Sequence, residues 1–271
     1  MEYLHAAILG LIQALTEFLP VSSSAHLLVI PWLFQWQPPG LFFDVALHWG
    51  TALAVILFFR KECWEMFIAP WQSLRGRSSW KSSRPLQLLL ILAVGTLPAV
   101  LFGFSAKKLI EQQLRQPWIA AFCLAFFGAV LVAADRLSPK KRKWAEINYS
   151  DGVWLGLAQA LALIPGVSRS GITLSVGRIR SLERADAARF SFLLSLPAIL
   201  GAALLESWEY WKAPADSSLL MGPTLLGTAV AALAGIGCLH GFLRFLRWSG
   251  LEAFAVYRLA LAAVIWIRYH S

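Results

Sequence analysis

Charge is what this chain has least of. Lys, Arg, Asp and Glu make up 14% of its 271 residues, where a soluble domain carries about a quarter. Acidic residues are the scarcer sign, 15 against 24 basic. With 58% hydrophobic residues and a mean hydropathy of +0.62, this composition excludes an ordinary soluble domain. Apolar runs recur from end to end, which also excludes a soluble domain on a single anchor. A net charge of +9 would point to nucleic acid in a soluble protein. In a polytopic membrane protein loop charges account for it, and no nucleic-acid partner is expected. Cysteine is short as well. Cys63, Cys123 and Cys238 are odd in number, far apart and set in apolar sequence, so they read as packing residues rather than a disulfide framework or a metal cluster. The opening Met-Glu-Tyr-Leu-His has no basic n-region, and no cleaved signal peptide is expected.

What the chain has in quantity is apolar sequence. Six segments are long enough to cross a bilayer at about 1.5 Å of rise per residue: roughly 42–59, 87–104, 118–136, 190–206, 219–240 and 251–268. Two more stretches, about 5–34 and 152–176, are broken by Pro20 and by Pro165-Gly166. Each reads as two short helices joined by a Ser-rich turn. Neither half could cross alone, so re-entrant hairpins are the economical reading. The predicted fold is a single all-α polytopic membrane domain over residues 1–271, with about six spanning helices and two re-entrant hairpins. Trp32, Trp36, Trp208 and Trp211 suit its interfacial belts.

The two hairpins are related. Shifting the sequence by 146 residues lays "LGLIQALTEFLPVSSS" (9–24) on "LGLAQALALIPGVSRS" (155–170), with nine of sixteen positions identical. Leucine and alanine matches are cheap in such a composition, but the Gly, Gln and Ser matches are not. Charge bias gives orientation. Seventeen lysines and arginines fall in the loops of one side (around 60–84, 136–143, 178–189 and 244–247), against Lys107, Lys108, Arg115, Lys212 and Arg268 on the other. The positive-inside rule places the richer side in the cytoplasm. The first hairpin then enters from outside and the second from within, which makes the repeat inverted in topology. Inverted repeats with broken helices hold their binding site near the midplane, between the tips.

Each tip has the same local physics. A proline stops the incoming helix and a serine turn caps the outgoing one, so unpaired N–H groups and a positive dipole end point into the gap. Two such ends facing each other suit a diphosphate. The repeat is most informative where it breaks: Ser23 aligns with Arg169, Glu17 with Leu163 and His26 with Ile172. The first tip holds a hydroxyl, a carboxylate and an imidazole, the groups of nucleophilic and proton-transfer chemistry. The second supplies a guanidinium, which can clamp phosphate oxygens by parallel N–H bonds.

At these residues the sequence resembles the undecaprenyl-diphosphatase family, also called bacitracin-resistance proteins. The resemblance rests on "QALTEFLPVSSSAH" (Gln13 to His26), "PGVSRSG" (Pro165 to Gly171) and "RFSFLLSLPAI" (Arg189 to Ile199), and it extends over essentially the whole chain. It implies a bacterial plasma-membrane enzyme, its site open to the outer side, that removes the terminal phosphate of the C55 isoprenyl diphosphate. It implies Ser23 as nucleophile, with Glu17 or His26 accepting its proton; an attacking His26 is the other version. Arg169 would hold the diphosphate, joined by Ser22, Ser24, Ser168, Ser170 and Gln13. A divalent cation, Mg²⁺ or Ca²⁺, is expected at Glu17. Gln13 gives this chain one carboxylate fewer than the fuller motif, so substrate phosphates and water would supply most of the oxygen ligands. The expected partners are the isoprenyl diphosphate, membrane lipids and, as one option, a second copy of the chain.

Other polar residues are less specific. Asp44 and His48, at i and i+4 near the start of a span, either face the site or decorate an interface. "SPKKRK" (138–143) reads as a cytoplasmic topology signal that touches anionic headgroups, and "RIRSLERADAARF" (178–190) as an amphipathic surface helix. Arg258 stands mid-span with no evident partner, Glu206 being one candidate. Two rivals remain. A transporter or flippase of a lipid phosphate would share the inverted-repeat architecture, but binding alone does not require the Ser-Glu-His group. The membrane phosphatases that couple PSGH to a later SR, His and Asp need a histidine that is missing here until His240.

Overall fold

The computed structural model describes residues 2–37, 40–76, 83–212 and 221–270. Among these, the regular elements are helices: α1 (Tyr3–Phe18), α2 (Ser23–Leu33), α3 (Leu41–Phe58), α4 (Arg60–Leu74), α5 (Arg84–Leu109), α6 (Pro117–Leu137), α7 (Tyr149–Leu161), α8 (Arg169–Ile179), α9 (Arg184–Lys212), α10 (Met221–Phe245) and α11 (Glu252–His270). Arg77 and Lys81, which enter the charge bias, lie outside the described residues. So do the side chains of Lys107, Lys108, Glu206, Trp211 and Lys212.

The all-α polytopic architecture expected from the sequence is present. The six predicted spans coincide with α3, α5, α6, α9, α10 and α11, and the two predicted hairpins with α1–α2 and α7–α8. By length and composition, α5, α6, α9 and α10 each qualify to cross a membrane, and α3 qualifies together with α4, from which it is bent by 83°. α11 is as long as a span but carries Arg258 and Arg268. Large apolar side chains such as Leu101, Phe122 and Leu233 point outward. In water such a surface would be untenable; against lipid it is the normal exterior.

Two stretches differ from the sequence reading. Residues 60–74, expected in a loop, form α4; charges alternate there with Trp64, Phe67 and Trp71, which stay exposed, the pattern of a helix lying in the interface. Residues 178–190, expected as one surface helix, instead make the corner between α8 and α9. Arg178 is fully buried and donates to Asp135 at 3.0 Å, and Arg184 donates to the other oxygen of Asp135 at 2.7 Å. Arg180 and Arg142 bind Asp151 in the same way, at 2.8 and 2.6 Å. Three of the arginines that make the segment look amphipathic are thus turned onto two carboxylates, Arg189 pairs with Glu62 of α4, and Arg142 of the basic run joins the Asp151 pair.

The repeat is visible in the packing. α1 lies against α10 as α7 lies against α5, while α3 meets α9 and α6 meets α11. A Cβ on Gly10 would collide with the Gly227 carbonyl, and one on Gly156, the repeat mate of Gly10, with the Gly95 carbonyl. Glycine at both places lets the hairpin helix touch its neighbour backbone to backbone, the packing that apolar solvent favours. These contacts carry the two tips toward one another.

Candidate active site

The local sequence explains why each tip is a sharp corner. The residue before a proline is driven out of the helical region, and Leu19, before Pro20, closes α1 with φ −68° and ψ 145°. Ser22 follows in the left-handed region at φ 77°, and its hydroxyl accepts from the Ala25 N–H. In the second hairpin Ser168 takes φ 71° and caps the Gly171 N–H. Positive φ costs a non-glycine residue on the order of 1–2 kcal/mol; serine offsets part of that because its oxygen satisfies an otherwise orphaned amide. The second corner adds Gly166 at φ 91°, where any side chain would strike the Ala120 carbonyl.

The tips meet. Ser170 Oγ donates to the Leu19 carbonyl at 3.0 Å across the gap. Glu17, only 6% exposed, is the hub. Its Oε2 accepts from Ser23 Oγ at 2.6 Å and from Gln13 Nε2 at 3.2 Å, while its Oε1 accepts from Arg169 Nη2 at 2.6 Å. Arg169 Nη1 also donates to the Ser191 carbonyl at 3.2 Å. A carboxylate this buried is tolerated because the guanidinium pairs with it and N–H and O–H donors meet its oxygens. Ser23 and Arg169, aligned in the repeat, are the first residues of α2 and α8, so the nucleophile candidate and the anion clamp hold equivalent places on opposite sides of one carboxylate.

These groups open on a cavity of about 340 Å³. Its polar end is lined by Glu17, Ser22, Ser23, Ser24, Ser168 and Arg169, and its apolar wall by alanines and leucines of α5 and α9 and the second tip. Asp44 and His48 also line it, with Arg115; of the two readings of this pair, the structure supports the one facing the site. His48 Nδ1 donates to the Asp44 carbonyl at 2.7 Å, and its Nε2 stands 3.6 Å from Glu17 Oε2. Arg115 lies 3.8 Å from the Asp44 carboxylate.

Other expected site residues stand back from the cavity. His26 is 3% exposed and is not among the lining residues. A carbonyl only accepts, so Nδ1 gives its proton to Ser22 O at 2.7 Å, and Nε2 is taken by the Tyr257 hydroxyl at 2.7 Å. The imidazole braces the corner from behind. Gln13 likewise sits behind Glu17, and Ser170 is spent on the inter-tip bond.

Sequence reading left Arg258 unexplained. It is fully buried and donates to Pro20 O at 3.3 Å, Gly166 O at 2.9 Å, Val167 O at 3.0 Å, and to Cys123 O and Leu124 O of α6. Pro20 and Gly166 are repeat mates, so one guanidinium grips the same carbonyl of both corners. The available signal was its position, since an ionisable residue inside a span marks function by default.

Among the described residues no group of three His, Cys, Asp or Glu is placed to hold a metal ion, and both oxygens of Glu17 are engaged by Arg169, Ser23 and Gln13. These residues do not form a cage for Mg²⁺ or Ca²⁺, which want six or more oxygen ligands.

The chain was compared with known proteins. A family model described as "Bacitracin resistance protein BacA" matches residues 6–264. A curated "Undecaprenyl-diphosphatase" of a Nocardioides species is 40% identical over 263 residues, which is 97% of this chain and 95% of that protein. One from Moorella thermoacetica is 40% identical over 272 residues, 99% and 100%. A third, from Desulforudis audaxviator, is 38% identical over 265 residues, 98% and 97%.

Proposed function

The chain belongs to the BacA family of bacitracin resistance proteins, and on that footing we propose that it hydrolyses undecaprenyl diphosphate to undecaprenyl phosphate and inorganic phosphate. The reaction returns a lipid carrier to the synthesis of peptidoglycan and other envelope polymers. The observation that carries this reading is the 2.6 Å bond from Ser23 Oγ to Glu17, made beside Arg169 at the mouth of a capped helix. A carrier of lipid phosphates would use the arginine and the helix ends, but it has no use for a hydroxyl held on a carboxylate.

The diphosphate enters with its oxygens between Arg169 and the α2 and α8 N-termini. Ser23 Oγ bonds to the terminal phosphorus as the bond to the bridging oxygen breaks, and undecaprenyl phosphate leaves. The serine proton passes to Glu17 Oε2. Arg169, released in part from Glu17, meets the charge on the transferring group, where fixed donors are worth most. Water then attacks the phosphoserine phosphorus as its bond to Oγ breaks; Glu17 returns its proton to Oγ, and inorganic phosphate leaves with the protons of the water. The residues present do not fit a resident Mg²⁺ or Ca²⁺; an ion arriving with the diphosphate would take its ligands from the phosphate oxygens and water, and no step above runs through one. A cavity of about 340 Å³ holds a headgroup and the first isoprene units, while the rest of the C55 chain lies in lipid.

The protein is a multi-pass membrane protein. The loop-charge bias supports a plasma-membrane orientation with the site open to the outer side. Single cysteines at Lys140 and Gln116, in a chain lacking Cys63, Cys123 and Cys238, test it: an external reagent should label position 116 and miss 140. The function is tested by phosphate release from the purified protein with C55 and C15 diphosphates, with and without a chelator. Binding without release would leave the transporter reading in its place.

A further inference from the structure

Gln159 is the repeat mate of Gln13, and the two amides have different fates. Gln13 Nε2 spends its donor on Glu17, four residues on, at 3.2 Å. Four residues beyond Gln159 the second repeat has Leu163, so the amide has lost its acceptor. It has found no other: Gln159 lines the cavity beside Ser168 and Arg169, is 3% exposed, and neither Nε2 nor Oε1 has a hydrogen-bond partner among the described residues. A buried amide left unpaired is a standing cost to the fold, and each instance in a native structure calls for a reason.

We propose that Gln159 is a substrate-binding residue whose Nε2 donates to a phosphate oxygen of the bound diphosphate. The inference rests on the function proposed above, which supplies the anion. In the first tip the acceptor is built into the protein as Glu17; in the second, the ligand brings it. Both amide atoms are unpaired, so the side chain can turn its NH₂ toward the anion without breaking a bond. The second tip thus reads the diphosphate with two side chains, a guanidinium and an amide.

The test sets affinity against stability. Gln159→Leu and the volume-matched Gln159→Met remove the donor and also remove an unpaired polar group from the interior. Binding of the C15 diphosphate is measured by calorimetry on the full chain carrying Ser23→Ala, so that ligand is not consumed. Melting temperatures are taken without ligand, and phosphate release with Ser23 in place. The expected result is a Kd raised by about 10- to 100-fold, as for a hydrogen bond to a charged group, with a melting temperature unchanged or higher and kcat near wild type. A purely structural amide predicts the reverse, a lower melting temperature with Kd unchanged. Wild-type Kd in either variant, or weaker binding only alongside loss of stability, overturns the proposal. Normal binding by the Ser23→Ala chain with no phosphate released by the wild type would instead refute the hydrolase reading and leave the Gln159 comparison to stand. A Ser23→Ala chain that does not bind, together with a wild type that releases no phosphate, overturns both.

Discussion

The two re-entrant tips have nearly the same backbone and almost none of the same chemistry. Ser22 and Ser168 share a left-handed φ (77° and 71°) and the same cap three residues on, and the flanking serine hydroxyls stand 3.2 and 3.3 Å apart. At the positions between and around them a hydroxyl faces a guanidinium, a carboxylate faces leucine, and an imidazole faces isoleucine. In the function proposed above, the shared backbone is a symmetric cradle for a two-phosphate anion, and the differing side chains divide the labour. On that proposal the first tip carries the group that changes bonds, and the second carries groups that hold.

The largest expected effect tests that division directly. Ser23→Ala should lower kcat on the order of a thousandfold, about 4 kcal/mol of transition-state stabilisation, with affinity little changed, because the second tip is intact. Phosphate-release kinetics and ligand binding on the same preparation check it, and equal, mild losses for Ser22→Ala, Ser23→Ala and Ser24→Ala would remove Ser23 as nucleophile. Arg169→Lys comes next. A lysine keeps the charge but cannot serve Glu17, the Ser191 carbonyl and a phosphate in one plane, so a loss on the order of a hundredfold is expected; near-normal turnover would mean that charge alone suffices. Leu163→Glu makes the second tip resemble the first. It should give Gln159 a partner and set a carboxylate against the diphosphate, weakening binding about tenfold, measured as Kd for the C15 diphosphate. The smallest effects should be symmetric. Ser22→Ala and Ser168→Ala each remove one cap and should each cost about 1 kcal/mol in thermal stability, and a clear inequality would mean that the two corners are not mechanically equivalent.

Much of this was legible in the sequence because membranes make polar residues conspicuous. Pro20, Pro165 and the serine runs stood out of apolar surroundings, and the 146-residue offset paired them. Asymmetry between copies then pointed to Ser23, Glu17 and Arg169, which the structure brings within 2.6 Å contacts. What could not be read were choices among equivalents. His26 and His48 were both candidates, and only the packing of their helices decides that His48 lines the cavity while His26 sits behind the corner, bonded to Ser22 O and the Tyr257 hydroxyl. The arginines of 178–190 have an amphipathic pattern, but carboxylates distant in sequence, Asp135, Asp151 and Glu62, pair with them. The unpaired Nε2 of Gln159 is a fact of three dimensions, since the identical residue 146 positions earlier, Gln13, has a partner for its Nε2 in Glu17, although its Oε1 is unpaired too.

Arg258 follows both hairpins in the chain, and that order has a consequence for biogenesis. Its guanidinium finds its acceptors only on corners and a helix already made, Pro20, Gly166, Val167 and α6. As α11 leaves the ribosome, the charge has no low-energy place in lipid until both hairpins are seated. Seating both hairpins is therefore what gives Arg258 its acceptors, and a chain with a misplaced hairpin would leave that guanidinium short of partners inside the bilayer.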